Sequence, residues 1–317
     1  MKLSIIIPTF NRANLLSEAI QSILSQPTSI HEIIIADDGS DDDTTSLCRQ
    51  LQQVDIPVNI VVSRSEKNLG AQASRNRGIL ISTGDCLLFM DSDDVLTENA
   101  ILPLLKELEA DQSLHYVYGQ VRVVDSTLQP LDTLNLVGSD FSDQPREIAG
   151  YHWHTMAAIY RKSYIQKVGF WNEELTGSQD WEFQARVKMA GGKRKFVEHI
   201  VGLWREHTGE RVGTKKFRYD YVQSVIKSCV LIKDHAINLQ LSNTELEARL
   251  AFKIFVHAIS FPSDTYAVER TQALQTSLET AHRIPWLKTL LIFWIKSPIN
   301  LDNLVMFFIQ YRLARGR

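Results

Sequence analysis

The chain has 317 residues, of which 44% are hydrophobic and 22% charged, the balance of an ordinary globular protein. That length suits one large α/β domain or two modest ones, and the apolar content excludes a chain disordered over most of its length. A formal net charge of −3 argues against a nucleic-acid binder, which gains affinity by neutralising phosphates.

The charge is uneven: the stretch from Ala281 onward carries +5 and the remainder −8. Cys48, Cys86 and Cys229 are odd in number and far apart, so neither a disulfide framework nor a zinc site is expected. A reducing compartment is the natural inference. Leu3–Ile7 is too short for a signal-peptide core, and no apolar stretch is long enough to span a bilayer.

In chain order, Leu3–Pro8 reads as a buried strand and Ala13–Ser25 as a helix, with Leu15, Leu16, Ala19, Ile20, Ile23 and Leu24 at helical spacing. Ile33–Ala36, Val58–Ser63 and Cys86–Met90 follow as strands, interleaved with helices over Thr44–Gln53 and Gly70–Ile81. A helix over Asn99–Glu109 has Thr97 as its expected N-cap. Tyr116–Val124 is a strand, and the polar segment Asp125–Gly150 reads as a surface excursion. His154–Tyr160 returns as a strand, Ser178–Ala190 is a helix, and Phe196–Trp204 supplies one or two strands more. This alternation predicts a doubly wound, mostly parallel sheet. After about Thr214 only long helices are expected, with Ser242-Asn243-Thr244-Glu245 as a capping box. The predicted organisation is therefore an α/β domain over 1–213 and a helical region over 214–317.

Ligands of such sheets sit beyond the carboxyl ends of the strands. There the chain carries Pro8-Thr9-Phe10-Asn11-Arg12, Asp37-Asp38-Gly39-Ser40, Asn68-Leu69-Gly70 leading to Arg75-Asn76, and Asp91-Ser92-Asp93-Asp94. Neither a dinucleotide glycine fingerprint nor a P-loop is present. Three acids in four residues repel one another unless a cation neutralises them, and a hard divalent ion with oxygen ligands is the simple partner. The competing reading is an acidic turn in which Ser92 or Asp94 caps the next helix. Asp41, Asp42 and Asp43 suit a helix N-terminus. Asp37 or Asp38, at the strand end itself, suits a base N–H or a ribose hydroxyl. Arg75 is either a surface cation or a guanidinium aimed at a base carbonyl or a phosphate.

Together these blocks resemble a family 2 glycosyltransferase of the GT-A fold, and the likeness covers about the first 100 residues. It extends through Val168-Gly169-Phe170-Trp171-Asn172-Glu173-Glu174 and Ser178-Gln179-Asp180-Trp181-Glu182-Phe183 to about residue 210. The resemblance implies a nucleotide-sugar donor, most often UDP-linked, with Mn²⁺ or Mg²⁺, and inversion at the anomeric carbon. It divides the α/β domain into a nucleotide-sugar-binding part, 1–100, and an acceptor side, 125–213. By position it places Pro8, Thr9, Asn11 and Arg12 along the nucleotide pocket, Asp38 on the base and Arg75 nearby. It gives Asp91 and Ser92 to the ribose or sugar, Asp93 to the metal and Asp180 to the general base, with His207 as a further metal or diphosphate contact. The family usually has Glu before that Asp; here Gln179 keeps the shape and loses the charge.

Inversion by one in-line displacement asks for two things. Charge growing on the leaving diphosphate calls for a cation, and the attacking hydroxyl calls for a carboxylate base. Asp93 answers the first and Asp180, in a helix's first turn, the second; Glu173, Glu174 and Glu182 are the fallback bases. Trp153, Trp171 and Trp181 border the acceptor side, where large aromatics serve as core or as stacking platforms for sugars.

The apolar, Trp-containing segments Ile284–Trp294 and Leu301–Leu313 have basic flanks, which suits helices lying in a membrane interface or packing on protein, including a second copy of the chain. The partners expected are a nucleotide-sugar donor, a glycan or lipid-linked glycan acceptor and no nucleic acid. The location expected is cytoplasmic, peripheral on the inner membrane face. Cell-surface polysaccharide synthesis is the process expected. The alternatives are a nucleotide-sugar-binding scaffold without turnover, supported by Gln179 alone, and a nucleotidyltransferase, which the first loop does not favour.

Overall fold

The computed structural model describes residues 1–28, 30–131, 136–206, 219–259 and 266–296. In chain order the elements are β1 (Leu3–Thr9), α1 (Ala13–Leu24), β2 (Glu32–Asp37), α2 (Thr44–Gln53), β3 (Asn59–Arg64), α3 (Ala71–Ile81), β4 (Cys86–Phe89), β5 (Val95–Leu96), α4 (Leu102–Ala110), β6 (Tyr116–Val124) and β7 (Leu136–Val137). They continue with α5 (Pro145–Ile148), a 3₁₀ turn at Thr155–Ala157, β8 (Ala158–Arg161), α6 (Lys162–Val168), α7 (Gln179–Met189) and β9 (Arg194–Arg205). The last four are α8 (Tyr219–Asn238), α9 (Thr244–Ile259), α10 (Ala267–Thr280) and α11 (Pro285–Lys296).

Two compact units emerge. The first takes 1–141, 151–173 and 190–209; the second takes 142–150, 174–189 and the described residues beyond 210. Among the described residues all the strands belong to the first. Its sheet runs β3-β2-β1-β4-β8-β6-β9-β5, with β7 on β6. The longer pairings, β1 with β2 and β4, β2 with β3, and β6 with β9, are parallel. The doubly wound, mostly parallel sheet is thus as expected, and β8 enters it antiparallel, between β4 and β6.

Every residue of β1 and β2 is buried, because helices cover both faces of a central parallel strand. Their register sets Thr9 level with Asp37, and Asp37 level with Arg64 of β3, so three strand ends open at one edge. Helix α3 lies close on β1: a Cβ at Gly78 would overlap the Ile6 side chain.

Some local expectations change. Helix α4 starts at Leu102, and Thr97 is not its cap; its hydroxyl instead donates to the Ile200 carbonyl, tying β5 to β9. The segment 154–157 is a 3₁₀ turn before the strand proper. The cap of α9 is Asn243, whose Oδ1 accepts from Leu246 N–H at 2.8 Å, while Ser242 donates to Glu247 at 2.7 Å. The N-cap therefore sits one residue later than the S-x-x-E pattern implied, and Leu246 at the third helical position completes no capping box.

The second unit is helical. Trp181, Ala185 and Met189 of α7 meet Val225 and Cys229 of α8 and Ile254 of α9 in one apolar core. Ile284, Leu287 and Leu291 join the same core. Among the described residues no helix is long and apolar enough to cross a membrane.

Candidate functional site

At the open edge of β1–β2–β3 the first loop turns through Asn11, which adopts a left-handed φ of 51° that Asn tolerates better than most residues. Its N–H donates to Ser40 Oγ at 2.9 Å, and its Oδ1 accepts from Asp41 N–H at 2.9 Å. Ser40 in turn donates to Asp37 Oδ1 from both hydroxyl (2.6 Å) and backbone (3.0 Å). Asp37 Oδ2 lies 3.3 Å from Arg64. Pro8 is a strand residue paired with Ala36. Thr9 is buried with a hydroxyl that has no partner among the described residues.

Asp38 is almost fully buried. Its Oδ2 accepts the backbone N–H groups of Leu69 (3.0 Å) and Gly70 (2.7 Å), and its Oδ1 lies 3.5 Å from Arg77. It therefore holds the Asn68–Gly70 loop in place, where Gly70 takes a φ of 97° open to glycine.

Arg75 projects from α3 and is buried. One guanidinium nitrogen donates to Asp91, and the group stacks over the Trp171 ring at 4.5 Å. Its Nε and Nη1 are buried with no partner among the described residues. Next to it, Asn76 clamps the segment after α6. It donates to Trp171 O (2.9 Å) and Glu173 Oε1 (2.7 Å) and accepts from Trp171 N–H (2.9 Å).

The acidic turn follows β4. Burial pushes the Asp91 carboxyl up, but the Arg75 guanidinium, His154 and Arg12 outweigh it and hold its pKa below the usual carboxylate value. Asp93 pairs with Arg12 at 2.6 Å. Ser92 is buried in the same turn. Asp94 is buried too; its Oδ1 accepts Arg205 N–H at 3.1 Å, and its Oδ2 lies 4.0 Å from His154 Nε2.

The donors that converge are Asp91, Asp94 and His154, with ligand atoms all within 4.8 Å of one another. Two carboxylates and an imidazole suit Mn²⁺, and the carboxylates also suit Mg²⁺. Asp93 was the residue expected on the metal; in this structure it faces Arg12. His154 escaped the sequence reading because its strand was not oriented. Since β8 pairs antiparallel with β4, Leu88 opposite Ile159, the residues before β8 lie beside those after β4. An antiparallel assignment of β8 would have pointed to His154. His207 lies outside the described residues.

Asp180 belongs to the second unit, in the first turn of α7. Its Oδ1 accepts Trp181 N–H at 2.9 Å. The Ser178 carbonyl accepts from Glu182 N–H at 3.1 Å, so Ser178 opens the helix, at a left-handed φ of 55°. Glu182, a fallback base, is buried and paired with Arg186 at 2.7 Å. Glu174 pairs with Lys227 at 2.6 Å. Gln179 Oε1 is buried without a partner among the described residues. Trp153 is fully buried and donates to Tyr160 Oη at 2.8 Å, which makes it core. Trp171 and Trp181 are also buried.

A mostly parallel α/β sheet with a carboxylate-rich strand end, and no glycine cradle, is the arrangement of an α/β domain of the GT-A type. The sequence profile of Glycosyl transferase family 2 matches residues 4–169, just over half of the chain. The chain belongs to that family. Glycosyltransferase GlyG of Streptococcus pneumoniae is 32% identical over 238 residues, which cover 71% of this chain and 77% of that one. The GalNAc(5)-diNAcBac-PP-undecaprenol beta-1,3-glucosyltransferase of Campylobacter jejuni is 37% identical over 118 residues, and the match spans only 37% of either chain. Among solved structures, Staphylococcus aureus TarS 1–349 in complex with UDP-GlcNAc superposes with a TM-score of 0.71 at 19% identity, covering 100% of this chain and 93% of that one. The mannosyltransferase PcManGT of Pyrobaculum calidifontis, in complex with GDP-Man and Mn²⁺, gives a TM-score of 0.56 at 14% identity, over 100% and 88% of the two chains. These likenesses show the GT-A fold.

Proposed function

We propose that the chain is a metal-dependent, inverting glycosyltransferase. It moves a sugar from a nucleotide-sugar donor, a UDP-sugar by preference, to a hydroxyl of a glycan or lipid-linked glycan. The observation that carries this reading is the meeting of Asp91, Asp94 and His154 after β4, beside a buried Arg75 with two unpaired nitrogens. The named acceptor of the Campylobacter relative is undecaprenol-linked. A Bacillus spizizenii relative, 36% identical over 124 residues, is named a poly(ribitol-phosphate) glucosyltransferase. Both names support an envelope glycan or its lipid-linked precursor as acceptor, met at the cytoplasmic membrane face.

The donor's nucleoside would lie along Thr9, Asn11 and the loop that Asp38 holds. The orphan hydroxyl of Thr9 and the free edge of Arg75 supply hydrogen bonds to it at little cost, because both groups are already desolvated. Asp91, Asp94 and His154 would hold Mn²⁺ or Mg²⁺, joined by Asp93 when Arg12 transfers its charge from that carboxylate to the donor's phosphates. Bound there, the ion neutralises charge that develops on the leaving diphosphate. Asp180 would take the proton from the acceptor hydroxyl as it attacks the anomeric carbon, so that one displacement inverts the centre. The buried, unpaired Oε1 of Gln179 beside it offers the acceptor a hydrogen bond in place of a charge.

The test is Asp180→Asn. Calorimetry with UDP and Mn²⁺ should give wild-type affinity, while transfer falls by about 10²-fold or more. Turnover at the wild-type rate would remove Asp180 from the reaction.

A further inference from the structure

Lys253 lies on α9 in the helical unit, half-buried. Among the described residues its ammonium forms no ion pair. It sits instead over the Trp181 indole, 3.9 Å from the ring centroid. Trp181 is fixed on two further sides. Its indole N–H donates to the Ala149 carbonyl at 3.0 Å, and its peptide N–H donates to Asp180 Oδ1 at 2.9 Å. The cation therefore presses on the residue whose backbone orients the Asp180 carboxylate. Stacking a cation on an indole is favourable, and more so where water is scarce.

We propose that Lys253 is a positioning residue for glycosyl transfer: seated on Trp181, it fixes the first turn of α7 and thereby the direction in which Asp180 presents its carboxylate. This rests on Asp180 being the base. It extends that reading by giving the helical C-terminal region a part in the chemistry, carried by one side chain.

The groups acting on Lys253 are few. Asp180 comes from α7 and Cys229 from α8, and His257, one turn along α9, donates from Nδ1–H to the Lys253 carbonyl at 2.8 Å. Helices α5 and α10 also pack on α9 and bring no charged group that acts on Lys253 among the described residues. Burial pushes the Cys229 thiol up to about 12, so it is neutral across the working range. Burial also lowers the Lys253 pKa, and the Asp180 carboxylate opposes it. The ammonium is lost as pH rises through that lowered pKa, earlier than for an exposed lysine. Arginine keeps its charge there and stacks on indole as well.

The experiment compares Lys253→Met, Lys253→Gln, Lys253→Arg and Asp180→Asn in the full chain. It follows UDP or GDP release with Mn²⁺ from UDP-Glc, UDP-GlcNAc, UDP-GalNAc or GDP-Man, whichever wild type turns over fastest, with melting curves as the check on folding. The neutral variants should lose kcat by about tenfold or more while the donor KM stays put, since misdirecting a reacting group costs that much. Lys253→Arg should recover kcat at pH 7 and carry the alkaline limb to higher pH. Folded neutral variants with wild-type kcat overturn the proposal. If neither neutral variant folds, the arginine profile decides alone, and an alkaline limb left at the wild-type position overturns it. A dead Asp180→Asn beside unaltered Lys253 variants removes Lys253 only. A fully active Asp180→Asn removes the base and Lys253 together.

Discussion

At the scale of single residues, the donor end of the sheet is a set of charges that answer one another. Arg12 meets Asp93, Arg64 meets Asp37, Arg75 meets Asp91 and Arg77 meets Asp38. Each pair has one largely buried member, so removing its partner would leave a charge uncompensated away from water. Their value lies in holding the cations aimed before a ligand arrives. His154 is the exception, because it faces two carboxylates and is buried among them. His154→Gln should raise the Mn²⁺ concentration giving half-maximal donor turnover by about tenfold or more, and a titration of donor hydrolysis against Mn²⁺ measures it. Asp38→Ala removes the acceptor that two loop N–H groups share, leaving partly buried donors unpaired at about 1–3 kcal/mol. A lower melting temperature and weaker UDP binding by calorimetry are the expected outcomes. The acids after β2 and β4 were legible in the sequence because so many carboxylates at a strand end need an explanation. Their partners were not, since Arg77, Arg64 and His154 are distant in sequence and brought together only by register.

At the scale of elements, the strands and helices of the first hundred residues, apart from the two-residue β5, followed from apolar spacing, and their ends from turn chemistry. Errors arose where a side chain had two possible backbone partners. Thr97 has the right chemistry for a cap but spends its hydroxyl on β9. Asn243 displaced Ser242 as cap of α9, since either can accept from a helical N–H. Helix α3 shows a constraint that periodicity hides. It buries Gln72, Ser74, Arg75 and Asn76 as well as Ala73 and Ile79, so it has no clean apolar face. Its seat on β1 depends instead on Gly78, where a Cβ would meet Ile6. Gly78→Ala should therefore destabilise by about 1–3 kcal/mol, although alanine is the better helix former. A urea midpoint that falls with an unchanged slope is the expected readout.

At the scale of the whole chain, the composition shift near residue 214 was legible, and the helices beyond it are present as far as the structure describes them. Part of the apolar character that made Ile284–Trp294 a membrane candidate is used internally, because Ile284, Leu287 and Leu291 are buried in the helical core. Leu287→Ala should cost about 2–5 kcal/mol, seen as earlier unfolding of the helical unit in a denaturant titration followed by far-UV circular dichroism. The Leu301–Leu313 stretch lies outside the described residues.

Strand β9, Arg194–Arg205, fills the place between β6 and β5. During synthesis on the ribosome, β6 and β5 must therefore wait, their edges open, until residue 205 has cleared the exit tunnel. Nascent chains stalled before that point would present bare strand rims to one another, and chaperone capture should peak in that window.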